Sequence, residues 1–219
     1  MSTRILCLNV LALISTVYPV SLPQIALSAK KRTPAAKSGG DIYLALCAGV
    51  CLLLLLLCAL IVPWWDGLRL AVKPLWFLAA AAAGLAFIGI EFLAGAALLR
   101  ASGVKARGIS INAGWKKASA AGFILTLIAA VFEELIFRQL WGVVILTELG
   151  MSPVWFIVLS SIAYGVNHLY YGFHTFIQKT LTGALLSLLF LAGGRAVFIP
   201  ITAHLVQNAA VLLMGRRLK

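Results

Sequence analysis

Several stretches of this chain stay apolar for longer than the roughly 18 residues that mark a membrane-crossing helix. That feature restricts the fold more than any other. The runs are continuously apolar rather than alternating, and a bilayer accepts only helices or closed barrels. The expected fold is therefore all-α, a polytopic membrane helix bundle. Of the 219 residues, 63% are hydrophobic and 11% charged. A soluble domain carries about 25% charged residues, so this chain could not cover its own surface in water. The reading gives six principal spans, Ile42–Val62, Pro74–Leu99, Ala121–Leu146, Pro153–Tyr171, Thr175–Leu191 and Ala196–Met214. The alanine run Ala79–Ala83 lies in the second span, where small residues allow close helix packing.

The formal net charge is +12. The basic residues sit mainly in short connections and tails, with no folded polar module to present them to nucleic acid. Their distribution speaks instead to orientation. With alternating spans, one side receives Lys30, Lys31, Arg32 and Lys37, then Arg100, Lys105, Arg107, Lys116 and Lys117. Lys179, Arg216, Arg217 and Lys219 fall on that side too. Arg69, Lys73 and Arg195 fall on the other. The positive-inside rule places the richer side, and the C terminus, in the cytoplasm. The expected location is the plasma (inner) membrane, with an organellar membrane as the alternative.

Residues 5–29 stay open between three readings: an extra or partial span, a removed targeting segment, and an interfacial helix. Lys30–Gly40 reads as a flexible linker. The cysteines form no CxxC pair. Cys47, Cys51 and Cys58 share one helical stripe and read as packing residues.

Three of the six acidic residues, Glu91, Glu133 and Glu134, fall inside apolar segments, as does Arg138. A charge at that depth costs about 2.5–3.5 kcal/mol on insertion scales. Such groups persist when they pair, line a cavity or do chemistry. Glu134 and Arg138 are four apart on one helix face and suit an ion pair. Glu133 points elsewhere and needs another partner. Tyr164 and His168 share a face near the end of the fourth span. His204 and Asn208 share a face in the sixth. Together these residues supply a carboxylate base, imidazoles and oxyanion-type donors. His174 reads as interfacial. Glu91 has no partner legible in the sequence; a shared cavity, Arg100 and snorkelling are the options.

The pattern EExxxR, then an aromatic-xxx-His, then HxxxN resembles the CPBP (CAAX-protease and bacteriocin-processing, Abi) family of intramembrane endopeptidases. The resemblance covers about Ala118–Gly215. It implies a catalytic core at 118–219, preceded by two accessory helices and a basic loop at 41–117 and by the segment 1–40. Glu133 and Glu134 match the glutamate pair, Arg138 the arginine, His168 the second-motif histidine, and His204 and Asn208 the third motif. Tyr164 stands where Phe is usual, Gln139 where Gly is frequent, and Leu205 where Ala is frequent. None of these departures removes a chemical group.

The implied activity is peptide hydrolysis in the membrane, of CAAX type or of leader-peptide and bacteriocin type, on a membrane-associated peptide or protein. Glu133, assisted by His168, would activate water. His204 and Asn208 would bind the oxyanion, and Glu134 with Arg138 would hold the helices. No cofactor is the expectation. Zinc on Glu133, His168 and His204 is the alternative, although no HExxH occurs. A non-catalytic immunity or scaffold protein and a small transporter are the competing functions. One tension stands: Glu133 lies deep in its span, whereas His168 lies close to the end of its own. Helix tilt, a longer fourth helix reaching towards His174, or a misplaced boundary would reconcile them.

Overall fold

The computed structural model describes residues 3–17, 22, 23, 25, 27, 39–70, 72–103 and 119–217. Most of the expected linker and the basic residues Lys105, Arg107, Lys116 and Lys117 lie outside the described residues. So do most positions between 18 and 29. The described chain is helical, with no strand among the described residues.

Among the described residues, seven helices of 15 residues or more follow in order. They are α1 (Thr3–Val17), α2 (Gly39–Ala59), α3 (Pro74–Ala101), α4 (Ala120–Glu148), α5 (Pro153–Asn167), α6 (Phe173–Ala192) and α7 (Phe198–Arg217). Gly39 and Gly40, read as linker, begin α2. By length and apolarity, α2, α3, α4, α6 and α7 can cross a membrane. Large apolar side chains such as Leu53, Leu56, Leu78, Leu93 and Trp155 stay exposed on the bundle, as lipid contact requires.

The fourth span is the main correction. The sequence reading carried it to Tyr171; the helix stops at Asn167 after 15 residues. His168 leaves helical geometry at φ −102°, ψ 3°. A 3-10 turn, Leu169–Tyr171, follows, and Gly172 turns the chain at φ 104°. Leu169, Tyr170 and Tyr171 extend the count of apolar and aromatic residues past the break, which hides it from an apolar-run reading. The other spans shift by a few residues, and the sixth starts at Phe198 and continues to Arg217.

Local chemistry explains several helix ends. Pro74 and Pro153 occupy first-turn positions of α3 and α5, where a missing N–H costs nothing. Ser119 caps α4: its Oγ accepts from the Gly122 N–H at 2.8 Å and donates to Asp41 at 2.8 Å. That contact sets the starts of α2 and α4 at the same end of the bundle. Tyr43 and Tyr171 also pair there through their hydroxyls. His174 pairs with Ser102 at the end of α3, 3.3 Å away, and is exposed, as an interfacial residue should be.

α5 packs along α6, α3 along α7, and α2 along α4. Close approach rests on absent side chains. A Cβ on Gly84 of α3 would lie 2.2 Å from the Ala203 carbonyl oxygen, and one on Gly165 of α5 would lie 2.0 Å from Thr180 Oγ1. Ala80, from the alanine run, is fully buried in the same α3–α7 contact. The main core gathers Ile136, Phe137, Leu140, Phe156, Tyr164 and Phe190. α1 adds Cys7 and Val10 to it against the far end of α4. All four cysteines are buried and free.

α4 changes character midway. It is α-helical through Glu134, then π-helical over Leu135–Leu140 and Val143–Glu148. Wide turns of this kind recur at functional sites. The first begins beside the glutamate pair.

Candidate active site

The short α5 resolves the depth tension. Glu133 is 15 residues before Glu148, and His168 is 15 residues after Pro153. α4 and α5 are antiparallel about the intervening turn, so both residues lie roughly 20 Å from it at about 1.5 Å per residue. The boundary was misplaced, and in the direction opposite to a longer helix.

Glu133 is buried at the meeting of α4, α5 and α7. Its Oε1 faces His168 Nε2 at 3.9 Å, and its Oε2 faces His204 Nε2 at 4.0 Å. Each imidazole is held from its other nitrogen. His168 Nδ1 is 2.9 Å from the Tyr164 carbonyl oxygen, and His204 Nδ1 is 2.7 Å from Glu134 Oε1. A carbonyl and a carboxylate can only accept here, so each Nδ1 carries the hydrogen. That arrangement turns both Nε2 atoms towards Glu133.

Glu134 and Arg138 are fully buried. Arg138 Nε lies 3.2 Å from Glu134 Oε2, and Nη1 donates to Oε1 at 3.3 Å. Nη2 donates to the Gly183 carbonyl on α6 at 3.1 Å. The guanidinium also sits over the Tyr164 ring, 4.7 Å from its centroid, a cation–π contact. Arg138 therefore ties α4 to α5 and α6. Tyr164 stacks edge-on to His168 with centroids 4.8 Å apart and fills the space between Arg138 and both histidines.

Glu134 does more than the expected pairing: the same Oε1 serves Arg138 and orients His204. Sequence spacing shows the i,i+4 partner and cannot show one on another helix. Asn208 follows His204 by one turn of α7 and is half-buried. Its side chain makes no hydrogen bond to another described residue.

Glu91 finds a partner that the sequence reading placed elsewhere. Lys179 Nζ lies 2.8 Å from Glu91 Oε1, and Thr182 Oγ1 donates to the same oxygen at 2.6 Å. Gln178 donates to the Glu91 backbone carbonyl at 2.9 Å. Arg100 is not the partner. Lys179 belongs to α6, within the expected fifth span.

The donor set fits zinc poorly. Two donors at about 2.0–2.1 Å from one tetrahedral ion lie about 3.4 Å apart, against 3.9 and 4.0 Å between Glu133 and the imidazoles. No group of three or more His, Cys, Asp or Glu among the described residues is arranged around a metal position.

Residues 115–210 match the family described as type II CAAX prenyl endopeptidase Rce1-like. The matched segment is thus similar to the CAAX-protease, or CPBP, family. It contains Glu133, Glu134, Arg138, His168, His204 and Asn208, and runs from before α4 into α7. That family is one of proteases, and the long apolar helices make the chain a multi-pass helical membrane protein. No curated protein and no solved structure matched the chain.

Proposed function

We propose that this protein acts as a CPBP-type enzyme and hydrolyses a peptide bond within the membrane by a glutamate-activated water. One observation supports the reading above the others: a buried carboxylate presents one oxygen to each of two imidazoles whose outer nitrogens are already committed. The gaps of 3.9 and 4.0 Å exceed a direct hydrogen bond and suit a shared water.

In this mechanism Glu133 takes a proton from the water, and His168 Nε2 helps to orient it. The water oxygen bonds to the scissile carbonyl carbon. His204, held at Nδ1 by Glu134, donates from Nε2 as the imidazolium to the oxyanion, and Asn208 donates from its amide. The C–N bond then breaks, and the leaving amine takes its proton from Glu133. No step requires a metal.

The activity of the similar family suggests the substrate class, a prenylated peptide cleaved near its C terminus. Leader-peptide processing is the second class. The C terminus is assigned to the cytoplasm from the basic-residue bias.

The test is cleavage of a fluorogenic farnesylated CAAX peptide, beside an unprenylated leader peptide, by protein purified in detergent. Cleavage by the wild type should fall by a factor of about 10² or more in Glu133→Gln, His168→Ala and His204→Ala. Asn208→Ala should lose less, about tenfold to a hundredfold. Activity should survive chelation. Stoichiometric zinc with chelator-sensitive cleavage would sink the metal-free mechanism. Function in a host that survives Glu133→Gln would favour the immunity or scaffold role.

A further inference from the structure

At the end of the bundle remote from the C terminus, Arg69, Lys73 and Arg195 stand apart from the basic residues of the opposite end. Two of the three converge. Arg69 and Arg195 line one cavity of about 110 Å³ together with Gly67, Gln139, Thr147 and Phe190. The Arg69 guanidinium lies against the turn that carries Arg195: a Cβ on Gly194 would sit 3.7 Å from Arg69 Nη1. No ion pair among the described residues reaches either arginine, and no carboxylate lines the cavity.

Two further observations point to a ligand. Gln139 is 1% exposed, and its Nε2 donates to the Trp64 carbonyl at 3.0 Å. That bond fixes the amide orientation, because the carbonyl can only accept. Gln139 Oε1 is left without a hydrogen-bond partner, a costly condition for a buried acceptor. Secondly, Arg195 adopts φ 66°, the left-handed conformation that glycine takes at little cost. Its backbone N–H closes the end of α6 on the Phe190 carbonyl at 2.8 Å, a task glycine would also perform. The strained position therefore keeps an arginine whose side chain is turned to the cavity.

We propose that this cavity binds a phosphate-type oxyanion whose substituent carries a hydroxyl or ammonium donor. The two guanidinia supply the forked donors that phosphate geometry favours. Gln139 Oε1 accepts from the substituent. The cavity opens where lipid headgroups of that leaflet lie, so an anionic glycerophospholipid and free phosphate are the two sources of this chemistry.

The experiment uses full-length protein in a neutral detergent, titrated separately with phosphatidylglycerol, phosphatidylcholine and inorganic phosphate. Thermal unfolding and native mass spectrometry read binding. Phosphatidylglycerol should raise the melting temperature and remain bound in the gas phase. Arg69→Gln and Arg195→Gly should each weaken that binding by about tenfold or more, the loss expected for a charge-assisted contact. Arg195→Gly relieves backbone strain, so its ligand-free melting temperature should not fall, which separates lost binding from lost folding. Arg100→Gln, at the opposite end, should bind as the wild type does. Stabilisation by inorganic phosphate alone, lost in the same two variants, would support the site and name free phosphate as its source. Equal binding of phosphatidylcholine, or unchanged phosphatidylglycerol binding in both site variants, would overturn the proposal.

Discussion

Glu134 accepts from Arg138 and from His204, so replacing it disturbs two contacts between different helices. Glu134→Gln keeps the shape and removes the charge, leaving a fully buried guanidinium unpaired. The expected cost is about 3–5 kcal/mol, as for other broken buried pairs. Glu133→Gln makes the same change one residue earlier, where the facing groups are imidazoles rather than a fixed cation. Its unfolding temperature should move far less, while cleavage is lost. Thermal unfolding of the two variants in one detergent, beside the peptide assay, tests the division. The Glu134–Arg138 pair was legible because helical spacing sets it. The set Glu133, His168 and His204 was legible as buried polar groups in apolar spans. The bond from His204 to Glu134 was not, since it depends on which helices are neighbours and on a rotamer. The Glu91–Lys179 pair was not legible for a similar reason, since its two residues stand on different helices.

Element by element, boundaries carried the uncertainty. Apolar runs revealed each principal helix, and hydropathy could not register the stop at His168 or the π-turns of α4. The stop falls at the polar pair Asn167 and His168, with Leu169, Tyr170 and Tyr171 extending the apolar count beyond it, and the π-turns change backbone geometry without changing residue polarity. Helix contacts here depend on missing Cβ atoms as much as on side chains present. Gly165→Leu should force α5 from α6, since even a Cβ would strike Thr180 and the Phe176 carbonyl. The expected cost is roughly 1–3 kcal/mol for overpacking, with loss of activity through displaced His168. Gly150→Leu is the comparison for bulk alone: no atom lies within 4 Å of its Cβ position, although φ 64° adds backbone strain. A smaller fall in melting temperature for Gly165→Leu than for Gly150→Leu would count against this account.

For the whole molecule, the accessory helices and the matched segment form one packed bundle. α3 lies along α7, and Glu91 reaches Lys179 across α3 and α6. The proposed orientation rests on charge rather than packing. Single cysteines at Ser102 and at Gly150, placed in a background whose four native cysteines are replaced, should separate under an impermeant thiol reagent. In right-side-out vesicles Gly150→Cys should react and Ser102→Cys should be protected. The reverse pattern would invert the assignment.

The brevity of α5 has a consequence for the surrounding lipid. Its 15 residues extend about 22 Å, against a hydrocarbon core of about 30 Å. Next to the end of α5 the bilayer must pinch inwards or admit headgroups and water. His168 stands at that end, so under the proposed mechanism water would arrive where the barrier is thinnest. Reconstitution into lipids of increasing acyl length should therefore slow cleavage stepwise with the fold intact, and a rate indifferent to acyl length would show that water reaches Glu133 by another path.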